Sequence, residues 1–244
     1  MNAQMLMGQI ANKIVAGKFE NHIPPRITSQ KMPDGLLNLI QQSMNNKVPP
    51  PLISADALDK AMADTIKMFE TGEFLLPDLI VRAMYTSRGR EVLADFTGET
   101  KSLTKGTAVM ATIAGKDYMH WEEVVEIILK GLGYKTINLG DELFASDILR
   151  AVNDNMPDML WINTPSTSIP EFTVKPLATL KAEIKEVTEH ISDAGLRNQV
   201  TILVGGIDGF CNRLPSVKAI DADFCCGNVI ETLSYLRKLV FSTN

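Results

Sequence analysis

The sequence lacks the features that mark several large classes of protein. It contains no long run of Lys or Arg, and its formal net charge is -5, so it offers no basic surface for nucleic acid or for an anionic membrane. The first residues lack a cationic stretch followed by a sustained apolar run, and no apolar run is long enough to span a bilayer. We therefore expect a cytoplasmic protein whose partners are small molecules and other proteins.

Cysteine is also scarce, with three residues in a chain of 244. Cys211, Cys225 and Cys226 all lie late in the chain, without a Cys-x-x-Cys spacing or a matching pair of histidines. A zinc site would need such a spacing, and a disulfide framework is typical of small secreted domains. The sequence therefore predicts reduced thiols, and neither a zinc site nor a disulfide framework.

The first hundred residues do contain helical periodicity. The segments Gly35 to Asn45 and Ala55 to Glu70 place apolar residues three and four positions apart, which gives each helix one apolar face. A further helix is predicted from Pro77 to Ala94, because proline is tolerated in the first helical turn. With one or two weaker helices in residues 1–32, these segments predict a small helical cap bundle over residues 1–94.

Local signals predict the borders of this bundle. Ser54 is the predicted N-cap of the second helix, after a loop that contains Pro49, Pro50 and Pro51. The polar segment over residues 95–105 is the predicted linker to a second domain.

From Gly106 onward, short apolar runs alternate with longer amphipathic segments. This alternation predicts a flavodoxin-like α/β domain over residues 106–244, with a five-stranded parallel, doubly wound sheet. Ligands are expected at the carboxyl ends of its strands, near the point where the strand order reverses. The predicted strands are Thr107 to Ile113, Thr136 to Leu139, Asp158 to Asn163, Val200 to Val204 and Asp223 to Cys225, and the predicted helices are His120 to Leu132, Ala145 to Asn153, Pro170 to Ala194 and Asn228 to Val240.

Two stretches resemble the corrinoid (vitamin B12-binding) proteins of methyltransferase systems and cobalamin-dependent methionine synthase. The first is Met68 to Leu79 (MFETGEFLLPDL) with Arg82 to Met84, which is similar to the family's F-x-x-G-x-x-F/L-L-P run before a cap helix. In that family the cap lays apolar side chains over the upper face of the corrin. The resemblance implies this role for Leu75, Leu76 and Leu79, for which packing in the bundle core is the alternative.

The second stretch runs from Thr107 to Leu239 and is similar to the family's cobalamin-binding domain in its order of strands and helices. Its landmarks are Gly133 to Gly140, Thr167 to Pro170, and Val204-Gly-Gly206. The resemblance implies a helical cap followed by a Rossmann-like cobalamin-binding domain, with cobalamin or another corrinoid as cofactor.

The family's ligand motif, Thr-x-x-Gly-Asp-x-His-x-x-Gly, is altered in this chain. Thr112 and Gly115 fit its first positions, and the motif then places Lys116 at the Asp, Tyr118 at the His and Trp121 at the last Gly. In the family the His is the lower ligand of cobalt, the Asp orients it, and the Gly leaves room for the nucleotide tail.

Each of the three changes works against cobalt ligation by a histidine. Lys116 cannot accept the imidazole N–H, and a neutral Tyr118 is a poor ligand for cobalt. The indole of Trp121 would occupy the space of the tail. His120 is an alternative, displaced ligand, although it would require a two-residue slip between landmarks that fit as they stand.

The resemblance implies further cofactor-binding residues at the strand ends. A paired glycine there lets a ligand approach the backbone closely, although such a pair also serves as a turn before a helix. Turn hydroxyls also cap helices, and a free cysteine is commonly buried in a core. Besides the three leucines, the predicted set is Asp117, Tyr118, Trp121, Asn163, Thr164, Ser166, Thr167, Gly205, Gly206 and Cys225.

Three functional hypotheses follow. The first is a corrinoid-binding methyl-carrier subunit without a His lower ligand, which holds base-off or base-on cobalamin or a shorter-tailed corrinoid. It would act with donor-side and acceptor-side methyltransferase subunits rather than as a complete enzyme, with homo-oligomers also expected. The second is a cofactor-free interaction or regulatory protein in which Trp121 and Ile162 plug the tail pocket. The third, another flat or phosphorylated ligand, lacks a Gly-rich phosphate loop after the first strand.

Overall fold

The structure is a computed structural model that describes residues 2–17, 35–98, 103–113, 115, 121–165, 177–206, 210–214 and 216–241. The chain divides into two compact units. The first comprises Met1–Lys105, Ile127–Tyr134 and Arg237–Asn244, and the second comprises Gly106–Glu126 and Lys135–Leu236. None of the described helices is both long and apolar enough to cross a membrane.

The first unit is a helical bundle. Its core is built from apolar side chains spaced three or four residues apart, such as Leu6, Ile10 and Ile14 on α1. Its elements are α1 (Ala3–Val15), α2 (Leu36–Asn45), α3 (Pro50–Ile53), a π-helical segment (Ser54–Asp59), α4 (Lys60–Glu70) and α5 (Leu76–Thr97).

The start of the α3 helix corrects two predictions. Helical structure begins at Pro50 instead of Ala55, so Ser54 lies inside the helical run and is not an N-cap. Proline has no N–H to leave unsatisfied and its φ suits the first turn, so Pro50 and Pro51 start the helix where a loop was predicted.

Instead of capping a helix, the Ser54 side chain makes a tertiary contact with Arg90. Its buried guanidinium donates to Ser54 Oγ at 2.5 Å and also to Asp59 Oδ1, and Lys105 Nζ lies 2.6 Å from Asp59 Oδ2. These bonds join both ends of the π-helical segment to α5.

Two parts of the later sequence pack into this helical unit. A Cβ built on Gly131 would lie 2.8 Å from the Cα of Ala83, so only glycine allows the helices to approach so closely. Arg237 also forms an ion pair with Glu70, with Nη2 3.0 Å from Oε2. The first unit therefore extends beyond the predicted cap of residues 1–94.

The second unit contains a five-stranded sheet of order β2-β1-β3-β4-β5, as predicted for a flavodoxin-like domain. The pairs β1 with β3, β3 with β4, and β4 with β5 are parallel. Because β2 and β3 lie on opposite sides of β1, the strand order reverses between β1 and β3. The strands are β1 (Gly106–Thr112), β2 (Tyr134–Asn138), β3 (Met159–Asn163), β4 (Thr201–Gly205) and β5 (Phe224–Cys225).

Helices connect these strands close to the predicted positions. One face of the sheet packs through Val109, Ala111, Ile162 and Val204 into a core with α7 and α8. Because side chains alternate along a strand, Thr112, Trp161, Asn163 and Gly205 belong to the other face. The helices are α6 (Trp121–Leu132), α7 (Ala145–Asn155), α8 (Leu177–Asp193) and α9 (Val229–Phe241).

Charged side chains fix the amino end of the short strand β5. Arg197 binds both carboxylate oxygens of Asp223, at 2.9 and 3.0 Å, and Asp223 also accepts from the Ile202 N–H at 2.7 Å. Phe224 stacks on Tyr235 of α9, with ring centroids 4.0 Å apart. The edge strand is thus held to β4 at one end and to α9 by its side chain.

Candidate functional site

Three residues lie side by side at the carboxyl ends of β1, β3 and β4. Two of them were predicted to bind the cofactor. Thr112 pairs in register with Asn163, and Asn163 pairs with Gly205. This row lies at the point where the strand order reverses, which is where doubly wound sheets bind their ligands. Asn163 and Gly205, which the sequence predicts as cofactor-binding residues, thus lie side by side at this edge of the sheet.

Buried hydrogen bonds run from this row to the first turn of α6. Asn163 Nδ2 donates to Thr112 Oγ1 at 3.0 Å, and the Thr112 hydroxyl donates to Glu122 Oε2. Asn163 is 1% exposed and Glu122 is 5% exposed. The direction of these bonds leaves Asn163 Oδ1 as an acceptor, and no described residue donates to it.

Trp161 lies on the same face and contributes a second unsatisfied polar atom. Its register partner is Leu203, yet its ring leans toward the carboxyl end, because a Cβ on Gly205 would lie 2.8 Å from Cη2 and 3.0 Å from Cζ2. The indole is fully buried, and its Nε1–H has no acceptor among the described residues. A donor and an acceptor without partners thus lie two residues apart on β3.

The two predicted glycines pack against the protein's own side chains. Trp161 covers Gly205, and a Cβ on Gly206 would lie 2.6 Å from both the carbonyl oxygen and Oγ1 of Thr164. Thr164 in turn donates through its N–H to the Gly205 carbonyl at 2.7 Å. The space beside both glycines is therefore filled, whereas the sequence predicted close approach of a ligand there.

The two residues expected to plug a tail pocket lie in different places. Trp121 begins α6 and is 3% exposed. Ile162 faces the opposite side of the sheet, where it packs in the core with α7 and α8. The side chain that covers the glycine is Trp161, because the alternation of β3 turns Trp161 and not Ile162 toward this face.

The cysteines correct another prediction. Cys211 and Cys225 form a disulfide, with Cα atoms 5.4 Å apart and a sequence separation of 14, although reduced thiols were predicted. The spacing gave no hint, since a short 3-10 helix (Cys211–Arg213) returns the chain beside the end of β5. Cys226 is a free, buried thiol, and burial raises its pKa to about 12.

The three predicted cap leucines differ in exposure. Leu75 is 69% exposed, Leu76 is partly buried and Leu79 is fully buried. The Leu75 N–H donates to Asp78 Oδ2 at 3.1 Å, which caps the start of α5. Asp78 also pairs with Arg82, whose guanidinium carbon lies 4.0 Å from the ring centroid of Phe74. Leu75 and Leu76 are thus available at the surface, while Leu79 lies in the interior.

Several predicted residues lie outside the described part of the chain. These are Asp117, Tyr118, Ser166 and Thr167, together with Lys116 and the alternative ligand His120. Among the residues that the structure describes, no group of three or more His, Cys, Asp or Glu side chains is arranged to hold a metal ion.

Sequence reasoning missed Glu122 and Trp161. A single Glu in the first turn of a helix is common, and its contact with Thr112 depends on how α6 meets the sheet. The apolar run of β3 marked Trp161 as a buried strand residue, but its contact with Gly205 follows from the register of β3 and β4. One feature of the sequence could have indicated Trp161: side chains alternate along β3, which puts Trp161 on the same face as Asn163.

The fold is that of cobalamin-binding proteins. The structure aligns with a cobalamin-binding protein from Desulfitobacterium hafniense DCB-2 at a TM-score of 0.62 and 13% identity, over 98% of each chain. It also aligns with the methanol:cobalamin methyltransferase complex MtaBC from Methanosarcina barkeri at a TM-score of 0.68 and 20% identity, over 98% of this chain and 81% of the other. No protein-family model matches the chain.

In sequence, the chain is similar to methylamine corrinoid proteins. It is 26% identical to dimethylamine corrinoid protein 3 of Methanosarcina acetivorans over 200 residues, 80% of this chain and 84% of the relative. It is also 26% identical to trimethylamine corrinoid protein 1 of that organism over 147 residues, 59% of this chain but only 63% of the relative. The predicted resemblance to corrinoid proteins of methyltransferase systems is confirmed.

Proposed function

We propose that the chain is a corrinoid-binding methyl-carrier subunit of a cobalamin-dependent methyltransferase system, and that it holds its cofactor without a histidine ligand to cobalt. The observation that carries this proposal is Asn163 Oδ1, a buried acceptor to which no described residue donates. It lies where doubly wound sheets bind ligands, in a chain whose relatives are corrinoid proteins.

The polarity of the strand-end row suits a neutral polar ligand. Asn163 is linked through Thr112 to the buried side chain of Glu122. An acceptor beside an acidic side chain favours ligand groups that carry N–H or O–H and disfavours phosphate, since buried like charges repel. A corrinoid, which is rich in amide groups, fits this row better than a phosphorylated ligand does.

The filled space beside the glycines favours particular forms of the cofactor. Because Trp161 covers Gly205 and Thr164 lies against Gly206, a nucleotide tail has no room next to these two Cα atoms. Tyr118 stands where the family motif has its histidine. Base-on cobalamin, or a corrinoid with a shorter tail, is therefore the form that this chain takes.

The proposed roles divide between cofactor, chain and partners. A bound corrinoid supplies a cobalt centre that accepts and releases a methyl group. Asn163 binds and orients the cofactor. Donor-side and acceptor-side methyltransferase subunits, in the cytoplasm, complete the reaction, and the remaining predicted contacts are those of Asp117, Tyr118, Ser166, Thr167 and Cys225.

Reconstitution with hydroxocobalamin tests this function. The purified chain is incubated with the cofactor, passed through a desalting column and scanned for corrin absorption. We expect a red or orange protein with about one corrinoid per chain, and Asn163→Leu should lose at least tenfold in affinity. Thr188→Val, which removes a buried hydroxyl bonded to Lys185 O within α8, should bind as the wild type does. A protein that stays colourless with both hydroxocobalamin and methylcobalamin contradicts the proposal.

A second candidate is a cofactor-free interaction or regulatory protein that keeps the corrinoid-protein scaffold. The burial of Trp121 and Trp161 favours it, because two indoles in the interior of the chain leave less room for a cofactor. This candidate predicts that neither cofactor binds to the wild-type chain. Corrin absorption in the desalted wild-type protein would exclude it.

A further inference from the structure

Two polar atoms on one face of β3 have no hydrogen-bond partner among the described residues, and they are opposite in kind. Trp161 Nε1–H is a donor and Asn163 Oδ1 is an acceptor. Their side chains are 0% and 1% exposed, and buried polar groups without partners are uncommon in folded proteins. Such a complementary pair at a ligand-binding edge points to a ligand group that both accepts and donates.

The two side chains lie on one face of the sheet and near one row of it. Residues 161 and 163 lie on the same face because side chains alternate along a strand. The Trp161 ring leans toward the carboxyl end, with Cζ2 and Cη2 against Gly205, and Gly205 is the register partner of Asn163. Since Cζ2 is one bond from the carbon that carries Nε1, the indole N–H lies on the ring edge that faces the Asn163 row.

The neighbouring hydrogen bonds determine which atom of the Asn163 side chain is left to accept. Asn163 Nδ2 already donates to Thr112 Oγ1 at 3.0 Å, and the Thr112 hydroxyl is committed to Glu122. The NH₂ group of Asn163 is therefore occupied, whereas its Oδ1 has no donor among the described residues. A ligand group at this position needs an N–H for Asn163 and an oxygen for Trp161, and the nearby acidic side chain disfavours an anion.

We infer that Trp161 and Asn163 form a subsite that binds a primary carboxamide on the rim of the corrin ring. A carboxamide oxygen accepts from Trp161 Nε1–H while its NH₂ group donates to Asn163 Oδ1. This inference rests on the proposed function, and it names the two side chains that bind the carboxamide of the corrin rim. It assigns a ligand contact to Trp161, which the strand pattern alone marks as core.

The pair can be tested with two corrinoids that differ in rim chemistry. Dicyanocobinamide carries primary carboxamides, whereas dicyanocobyrinic acid heptamethyl ester keeps the carbonyls but lacks the N–H groups. The wild-type chain should bind the amide at least fivefold more tightly than the ester, about the worth of one neutral hydrogen bond. Asn163→Ala should reduce the ratio of the two affinities about fivefold, while Trp161→Phe should weaken both probes and keep the ratio. Because the readout is a ratio, a general loss of fold does not imitate it.

A control and a direct signal complete the experiment. Tyr235→Phe, which removes a hydroxyl from a ring stacked on Phe224, should leave both affinities unchanged. The chain has two tryptophans, so ¹⁵N labelling gives two indole N–H signals, and the one missing from Trp161→Phe belongs to Trp161. That signal should move downfield when dicyanocobinamide is added.

The outcomes separate this inference from the proposed function. Equal affinity for amide and ester, a ratio of affinities that Asn163→Ala leaves unchanged, or an unmoved Trp161 signal in a chain that binds dicyanocobinamide overturns the carboxamide subsite alone. Failure to bind either probe or hydroxocobalamin overturns both the subsite and the corrinoid function.

Discussion

At the scale of single residues, the strand-end row shows how polar side chains are retained in a parallel sheet. Thr112, Asn163 and Glu122 are all buried, and each is joined to the next by a hydrogen bond. Such groups can be buried when they hydrogen-bond to one another. If one of them is removed, the others stay buried without a partner, and the cost of their desolvation lowers the stability of the fold. The central member, Thr112, is therefore the most sensitive position.

Replacing Thr112 tests this network through stability. Thr112→Val deprives Asn163 Nδ2 of its acceptor and Glu122 of a donor, so we expect the free energy of unfolding to fall by roughly 2–4 kcal/mol. Thr188→Val removes one hydroxyl that only reinforces a helix and should lower it by about 1 kcal/mol or less. Urea denaturation measures both. Equal losses for the two variants would show that the network contributes nothing beyond a single hydroxyl.

The thiol of Cys226 gives a prediction about pH. Burial, with a smaller effect from the nearby charge of Glu231, raises its pKa from 9.0 to about 12. Only the thiolate reacts with iodoacetamide, so at pH 8 the folded chain should label Cys226 about a thousand times more slowly than an unperturbed thiol. Labelling should accelerate as the pH rises toward 12, and mass spectrometry follows it. Rapid labelling of the folded chain at pH 8 would contradict the buried position.

At the scale of elements, β5 is held at both ends by different bonds. The Arg197 pair with Asp223 anchors its amino end, and the disulfide between Cys211 and Cys225 anchors its carboxyl end. The ion pair is partly exposed and contributes little by itself, whereas a disulfide that closes a loop of this length has a larger effect.

Breaking the disulfide should therefore destabilise the chain measurably. Cys211→Ser and Cys225→Ser should each lower the free energy of unfolding by about 3 kcal/mol relative to the oxidised protein. The wild type treated with dithiothreitol should match them. A thiol assay in denaturant without reductant should find one thiol, that of Cys226, and three after reduction. Three thiols in the protein exposed to a mild oxidant would refute the pairing.

Two glycines test how the helices of the first unit pack. Gly131 lies against Ala83, whereas a Cβ on Gly8 of α1 would meet nothing within 4 Å. Gly131→Ala should destabilise the chain by about 1–3 kcal/mol through steric overlap. Gly8→Ala should stabilise it by about 0.5–1 kcal/mol, because alanine favours the helix. Thermal unfolding should show a lower stability for Gly131→Ala and a higher one for Gly8→Ala. A Gly131→Ala variant as stable as the wild type would rule out the close contact.

The elements also show where sequence patterns succeed and fail. Hydrophobic periodicity predicted all five strands of the sheet, because buried parallel strands are nearly continuous apolar runs. It misplaced the start of the helix at Pro50, since three consecutive prolines are typical of a loop although the first helical turn accepts Pro50 and Pro51. The disulfide was missed because its 14-residue spacing acquires meaning only when the 3-10 helix brings Cys211 beside β5.

At the scale of the whole molecule, the sequence contained the fold class and the edge of the sheet that carries the candidate site. The order β2-β1-β3-β4-β5 follows from alternating strands and helices and places Asn163 at the switch point. It did not contain the contacts that shape the site. Trp161 covers Gly205 only through the register of β3 and β4, and that register is a tertiary property.

The central claim is that this chain binds a corrinoid without a histidine on cobalt, and electron paramagnetic resonance tests it most directly. The chain is produced with either ¹⁴N- or ¹⁵N-histidine, loaded with hydroxocobalamin and reduced to the Co(II) state. A histidine ligand would change the nitrogen splitting of the cobalt lines from triplets to doublets on ¹⁵N labelling. We predict a corrinoid-loaded protein whose spectrum is the same with both isotopes. Doublets with ¹⁵N-histidine, or a chain that takes up no corrinoid, would contradict the account.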